Sequence, residues 1–173
     1  VQTCALPISA HATWLDSDRG LRYAFMPPNG RWSQGPRLTD QALVSSMSVD
    51  ISGTLRMAYI QSSQTPNSPA GVYYLRRTGG AIQRTLVYSS TYFRTADPGS
   101  VGVAVAADGI GNVIVTWRQS PEDQAQFSRS ANNGLKWSAP EPIAAVSELF
   151  GIATQVNVAV APSGEFLLIW RDS

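Results

Sequence analysis

Two arginines in this 173-residue chain have the residue type and the spacing of a recognition site. Arg118 and Arg171 each follow a tryptophan directly, in "TWRQS" and "IWRDS", and they lie 53 residues apart. A guanidinium presents a planar fork of N–H donors that can bind a carboxylate through two parallel hydrogen bonds. Arginine also forms ion pairs between neighbouring elements of a fold, so a binding role and a structural role are both open here.

Acidic and amide side chains recur beside these arginines. Two residues after an aromatic stand Asp16, Gln61, Gln119 and Asp172, and a serine follows each of them. Asp16 and Asp172 are candidate ligand-binding residues. A feature that is present in every copy of a repeat is, however, more typical of a hydrogen bond that closes a loop.

The aromatics belong to a repeating unit: an apolar run, a glycine-containing turn, and a second apolar run that ends in the aromatic. Full copies cover residues 48–62, 105–120 and 160–173, and a partial copy ends at residue 17. In each full copy the turn glycine lies six residues before the aromatic. The four aromatics, Trp14, Tyr59, Trp117 and Trp170, are separated by 45, 58 and 53 residues, and a period of that size indicates a propeller or a solenoid.

A second hairpin pattern follows three of these units, at residues 20–38, 71–89 and 124–143, each with asparagine or glycine at its turn. Two hairpins make four antiparallel strands, which is the blade of a β-propeller. The sequence therefore predicts an all-β propeller fragment of about three repeats in an open arc. The expected parts are a partial blade at 9–38, blades at 43–89 and 101–143, and a partial blade at 155–173.

Residues 1–8, "VQTCALPI", are excluded from this scheme because one reading frame of a common sequencing-adapter oligonucleotide encodes them. Cys4, the single cysteine, lies in that segment, and His11 alone cannot form a metal cluster. No metal and no cofactor are therefore predicted.

Composition narrows the function classes. The net charge is +1, from 13 basic and 12 acidic residues, so the chain has no electrostatic footprint for nucleic acid. No run reaches the roughly 20 apolar residues of a membrane span. Twelve of the basic residues are arginine, which a GC-rich genome also explains.

The segment "SRSANNGLKW" resembles the Asp-box (BNR) motif, Ser-x-Asp-x-Gly-x-x-Trp, of sialidases and related propellers. Its motif positions are Ser130, Asn132, Gly134 and Trp137, with asparagine in place of the aspartate. The segments "MPPNGRW" and "RRTGGAIQ" are partial copies that keep only some residues of this motif. Because the motif repeats whereas an active site need occur only once, we expect these residues to shape a tight turn.

The sialidase resemblance implies three arginines on a substrate carboxylate, a tyrosine nucleophile assisted by a glutamate, and an aspartate acid/base. The segment "TYFRTADP" is similar to the family's Phe/Tyr-Arg-Ile-Pro at Phe93 and Arg94, with Thr95 and Ala96 in place of isoleucine and proline. Arg94 thus joins the ligand-binding candidates. No catalytic residue is assigned, and Tyr92 is expected to pack within its loop.

Strand alternation predicts where a ligand would bind. The loops between second and third strands and the blade-to-blade connections lie at the end opposite the glycine turns, and loops on a rigid scaffold carry binding residues. The predicted segments are 16–20, 39–46, 61–71, 89–100, 119–124 and 144–155.

Two functions remain open. One is part of a sialidase-like exo-glycosidase directed at carbohydrate, inactive without the missing blades of its parent propeller. The other is a non-catalytic propeller module that binds carbohydrate or protein at the cell surface. Either hypothesis expects glycans, sialosides among them, as partners, with no nucleic acid and no membrane span. Either also expects a secreted or surface-displayed bacterial protein.

Overall fold

The computed structural model describes residues 9–50, 52–94, 101–118, 125–143 and 153–172, and strands dominate these ranges. A four-residue 3-10 helix, Thr91–Arg94, is the one helical element among them. The predicted adapter segment, residues 1–8, lies outside the described residues. The strands are β1 Ala10–Leu15, β2 Leu21–Met26, β3 Ser33–Gln34, β4 Ala42–Val49, β5 Leu55–Gln61, β6 Gly71–Thr78, β7 Ala81–Ser89, β8 Gly102–Ala107, β9 Val113–Arg118, β10 Ala125–Ser130, β11 Glu141–Pro142, β12 Ala153–Val160 and β13 Phe166–Asp172.

The strands form four antiparallel sheets in chain order. Their strand orders are β1-β2-β3, β4-β5-β6-β7, β11-β10-β9-β8 and β12-β13. The predicted all-β class, with its four-stranded antiparallel units, is confirmed. The chain divides into two compact units, residues 1–42, with the first sheet, and residues 43–173, with nearly all of the other three.

Two predicted connections are shorter than expected. β4 begins at Ala42 and β12 at Ala153, so the loop predictions for 39–46 and 144–155 are wrong over the parts that lie in strands. Leu43 explains the first difference, because its side chain is buried in the apolar core of the second unit. A residue that is buried in this way extends the strand beyond the turn-like composition around it.

One five-residue turn closes three hairpins. In β1-β2, β4-β5 and β12-β13 the first residue of the turn donates its N–H to the carbonyl of the fifth, and the fourth donates back to the first. That fourth residue has a left-handed backbone: Arg19 (φ 62°), Gly53 (φ 77°) and Gly164 (φ 88°). Glycine accepts this conformation without strain, whereas arginine does not.

In the second unit the sheets stack face to face. Ala58, Ile60, Val72 and Tyr74 of the β4–β7 sheet form one apolar cluster with Val103, Val105, Val115 and Trp117 of the β8–β11 sheet. Tyr88 of β7 stacks on Trp117 with the ring centroids 5.5 Å apart. We call the face of each sheet that bears Trp117 or its equivalent the leading face, and the opposite face the trailing face.

The same contact recurs between the next pair of sheets. Ala104, Ala106 and Ile114, on the trailing face of the β8–β11 sheet, pack against Val158, Phe166 and Leu168, on the leading face of the β12-β13 sheet. The core of the unit is therefore built by repeating one sheet-on-sheet contact.

Candidate functional site

Arg118 lies at the loop end of the β8–β11 sheet, where it is the last residue of β9. Its neighbours across the sheet are Gly102 on β8 and Ala125 on β10. Arg118 is half-buried, and a Cβ at Gly102 would meet no atom within 4 Å, so the space over Gly102 itself is open. Strand alternation puts Arg118 on the trailing face with Thr116, toward the β12-β13 sheet.

Arg171 occupies the matching place on β13, directly after Trp170, with Gln155 of β12 opposite it. Arg94 ends the 3-10 helix, after Phe93, which is fully buried. The side chains of Arg94, Arg171 and Asp172, and that of Tyr92, lie outside the described residues. Their roles in binding stay predictions.

Asp16 closes the turn between β1 and β2. Its Oδ1 accepts the N–H of Gly20 at 2.6 Å, and its Oδ2 accepts from Nε of Arg22 at 2.8 Å. Hydrogen bonding with Asp18 and with Arg22 holds the pKa of Asp16 well below its usual range. Arg37 also contacts Asp16, at 3.8 Å, and it pairs with Asp18. These contacts favour the loop-closing interpretation of Asp16 over ligand binding.

Gln61 has the same role in the loop between β5 and β6. The two N–H groups of its Nε2 are shared among three carbonyl oxygens of that loop, those of Ser63, Ser68 and Pro69, at 3.0, 3.3 and 3.2 Å. These bonds hold the loop from within, and residues 63–66 of the loop line a depression of about 480 Å³. Hydroxyl and amide groups therefore line a depression in the loop between β5 and β6.

Three tyrosines in the β4–β7 sheet are buried. Burial raises the pKa of Tyr59, of Tyr73 and of Tyr74, which keeps their hydroxyl groups protonated. The hydroxyl of Tyr73 donates to the carbonyl of Pro69, and that of Tyr74 accepts from Arg56. These tyrosines pack and hold the sheet.

The Asp-box segment forms the turn between β10 and β11. Oγ of Ser130 accepts the N–H of Gly134 at 2.9 Å and donates to Oδ1 of Asn132, which in turn accepts the N–H of Lys136 at 2.9 Å. Asn133 and Gly134 both have left-handed backbones, with φ 61° and 82°. The asparagine at the motif's aspartate position thus accepts the backbone bond that the turn requires.

This turn is also anchored to the preceding sheet. Nε1 of Trp137 donates to Oγ1 of Thr85 on β7 at 3.2 Å, and its ring meets that of Tyr74 edge-on at 5.2 Å. A Cβ on Gly134 would lie 2.1 Å from the Tyr74 ring, so glycine is required for the close approach as well as for its φ. The motif therefore joins two sheets at the end opposite Arg118.

A buried ion pair beside the turn escaped the sequence reasoning. Arg56 is 1% exposed; its Nε donates to Oδ2 of Asp50 at 2.8 Å, and its other nitrogens donate to Tyr74 and to Oδ1 of Asn133. A spacing signal existed, since Asp16 and Arg22 pair across the same six-residue separation. The contact to Asn133, 77 positions away, had no such signal.

Within the described ranges, no three histidine, cysteine, aspartate or glutamate side chains come close enough to share a metal ion. No helix in that part of the chain has the length and apolar character to cross a membrane.

Comparison with known proteins identifies the fold. No family model matches the chain, and no curated protein sequence is similar to it. A triple arginine-to-alanine mutant of AofleA from Arthrobotrys oligospora superposes with a TM-score of 0.62 at 10% identity, covering 95% of this chain and 47% of that one. A xylan beta-1,4-xylosidase from Bacillus Halodurans C-125 superposes with a TM-score of 0.51 at 13% identity, over 95% and 35%.

Both neighbours have β-propeller-like folds built from four-stranded sheets, and this chain shares that fold. It spans less than half the length of either neighbour.

Proposed function

We propose that this chain is a glycan-binding propeller module whose loop end recognises a sugar carboxylate. The observation that carries the proposal is the position of Arg118 at the end of β9, opposite Gly102, over which the space is open. Arg171 repeats that place on β13, 53 residues later.

The surroundings of Arg118 suit a sugar acid. Ala125 lies opposite the arginine and forms a small apolar cluster with Val156 and Ile143. A pyranose has an apolar C–H face as well as polar substituents, so a guanidinium beside small apolar side chains can hold the carboxylate while the ring packs. The open space at Gly102 is where the ring would enter.

The pattern of arginines in a structural neighbour supports the same residues. The three arginines replaced by alanine in the AofleA mutant lie 53 residues apart, the separation of Arg118 and Arg171. In a propeller such a spacing puts one arginine in the same place on successive blades.

A sialidase-like hydrolase is the second candidate. The Asp-box turn, with its Ser130, Asn132 and Gly134 hydrogen bonds, is the observation that favours it. That turn joins sheets and lies away from Arg118, so it supports membership of the superfamily more than it supports catalysis.

Binding of 3′-sialyllactose to the full chain, measured by isothermal titration calorimetry beside lactose, tests the proposal. We expect binding of the sialoside alone, and a loss of about tenfold or more in affinity for Arg118→Ala, since a charge-assisted hydrogen-bonded pair contributes about 1.5–3 kcal/mol. Arg129→Ala is the matched control, because Arg129 is exposed at the opposite end and pairs with Glu141 at 3.5 Å.

Equal affinity for lactose, or an unchanged affinity in Arg118→Ala, would overturn the carboxylate site. Release of free sialic acid during the titration would instead establish the hydrolase.

A further inference from the structure

The trailing face of the β12-β13 sheet carries exposed apolar side chains. Leu167 is 52% exposed and Ile169 is 64% exposed, and Asn157 and Ala159 on β12 are exposed beside them. Two large aliphatic side chains exposed side by side on one sheet face are typical of a surface that another protein element covers.

The equivalent face of the preceding sheet is covered. Aligning Trp117 with Trp170 matches Ile114 with Leu167 and Thr116 with Ile169. Thr116 is fully buried, and Ile114 packs with Ala104 and Ala106 against the leading face of the β12-β13 sheet. A leading face is therefore the natural cover for Leu167 and Ile169.

The chain itself also exposes a leading face. Trp14 on β1 is 41% exposed, whereas its equivalents Tyr59 and Trp117 are fully buried. The register places Arg22 opposite Trp14, and Ala12 and Ala10 lie on the same side of the strand. In the contact between the β4–β7 and β8–β11 sheets, Trp117 of the leading face lies against the trailing face of the β4–β7 sheet and stacks on Tyr88.

We propose that a second copy of this chain docks its Trp14 face on the Leu167 and Ile169 face of the first. Each copy carries both halves of the contact, and the docking would repeat the sheet-on-sheet contact already present twice in the second unit. Because two different faces meet, the interface is heterologous rather than self-complementary.

The mass of the full chain in solution, measured by sedimentation and light scattering over a range of concentrations, is the first test. We expect at least twice the 18.6 kDa of one chain, and a return to 18.6 kDa for Ile169→Asp and for Leu167→Glu. Ile110→Asp is the matched control: Ile110 is 84% exposed in the turn between β8 and β9, away from either face, so the assembly should persist.

A mixing experiment separates this arrangement from others. Trp14→Arg keeps an intact trailing face and Ile169→Asp keeps an intact leading face, so each alone should be monomeric while an equimolar mixture recovers one contact per pair. Circular dichroism confirms that the variants are folded, and Ala12→Arg replaces Trp14→Arg if that variant unfolds.

Three results would overturn the proposal. A wild-type chain that stays at 18.6 kDa would show that something other than a second copy covers these faces. Assembly in Trp14→Arg together with its loss in Ile169→Asp would show a contact of like faces. Failure of the mixture to associate would also reject the heterologous contact.

Discussion

The residue types of Ser130 and Asn132 predicted the turn that these two residues form. Each uses a short polar side chain to accept a backbone N–H, that of Gly134 and that of Lys136. Such local bonds depend on residues within a few positions of each other, so a sequence motif predicts them. Arg56 is the opposite case, because the amide of Asn133 that meets it is 77 residues away.

Ser130→Ala should lower the free energy of unfolding by about 1–3 kcal/mol, because it leaves the buried N–H of Gly134 without its acceptor. Asn132→Asp is the matched control, since a carboxylate still accepts the N–H of Lys136; we expect a change of no more than about 0.5 kcal/mol. Urea unfolding measures both. Equal losses in the two variants would refute the hydrogen-bond explanation.

The buried pair of Asp50 and Arg56 predicts a pH dependence. Burial tends to raise the pKa of Asp50, but the hydrogen bonds from Ser52, Arg56 and Thr54 outweigh it and lower the pKa below that of an unfolded aspartate. The stabilisation from this group is therefore complete above the unfolded pKa, about 4, and is lost as the pH falls through the folded value.

Asp50→Asn should remove this part of the pH dependence. We expect the variant to be less stable than the wild type at pH 7, with a difference that narrows as the pH falls below about 4. Urea unfolding at pH 7, 5, 4 and 3 gives the comparison. A difference that is constant across this range would contradict the assignment of the linkage to Asp50.

At the scale of elements, the hairpins were readable from the sequence and the sheet contacts were not. The apolar runs on either side of Gly53, over residues 48–62, predicted the hairpin that β4 and β5 form, because a turn and its flanking strands are local features. The start of β4 at Ala42 was missed, since Leu43 is held there by burial among residues of other strands. The contact of Trp137 with Thr85 depends on how two sheets meet.

Gly53→Ala and Gly134→Ala separate backbone strain from packing. Both glycines are left-handed, with φ 77° and 82°, but a Cβ on Gly53 meets nothing within 4 Å, whereas one on Gly134 would strike Tyr74. We expect Gly53→Ala to cost about 1–2 kcal/mol from strain alone. Gly134→Ala should cost at least about 1 kcal/mol more, from overpacking.

Thermal and urea unfolding of the two variants measure this difference. Similar losses in both would show that Gly134, in the Asp-box turn, is not packed closely against the Tyr74 ring.

At the scale of the whole molecule, repetition made the fold predictable and left the site open. The aromatics Trp14, Tyr59, Trp117 and Trp170 marked the repeat, and three of them lie on strands that are second in their sheets. A ligand site, in contrast, depends on residues that differ between the copies of the repeat. Arg118 and Arg171 stand where other copies have Leu15 and Ile60. No local sequence pattern predicts which ligand these two arginines would bind.

The claim that Arg118 recognises a sugar carboxylate is tested most directly at its own guanidinium. In nitrogen-15-labelled full chain, the Nε–Hε resonance of Arg118, assigned by its loss in Arg118→Lys, is followed during titration with 3′-sialyllactose. We predict a saturable shift of this resonance, with no shift of the Arg129 resonance and none on adding lactose. An Arg118 resonance that stays in place at saturating sialoside, or a shift at Arg129 instead, would contradict the account.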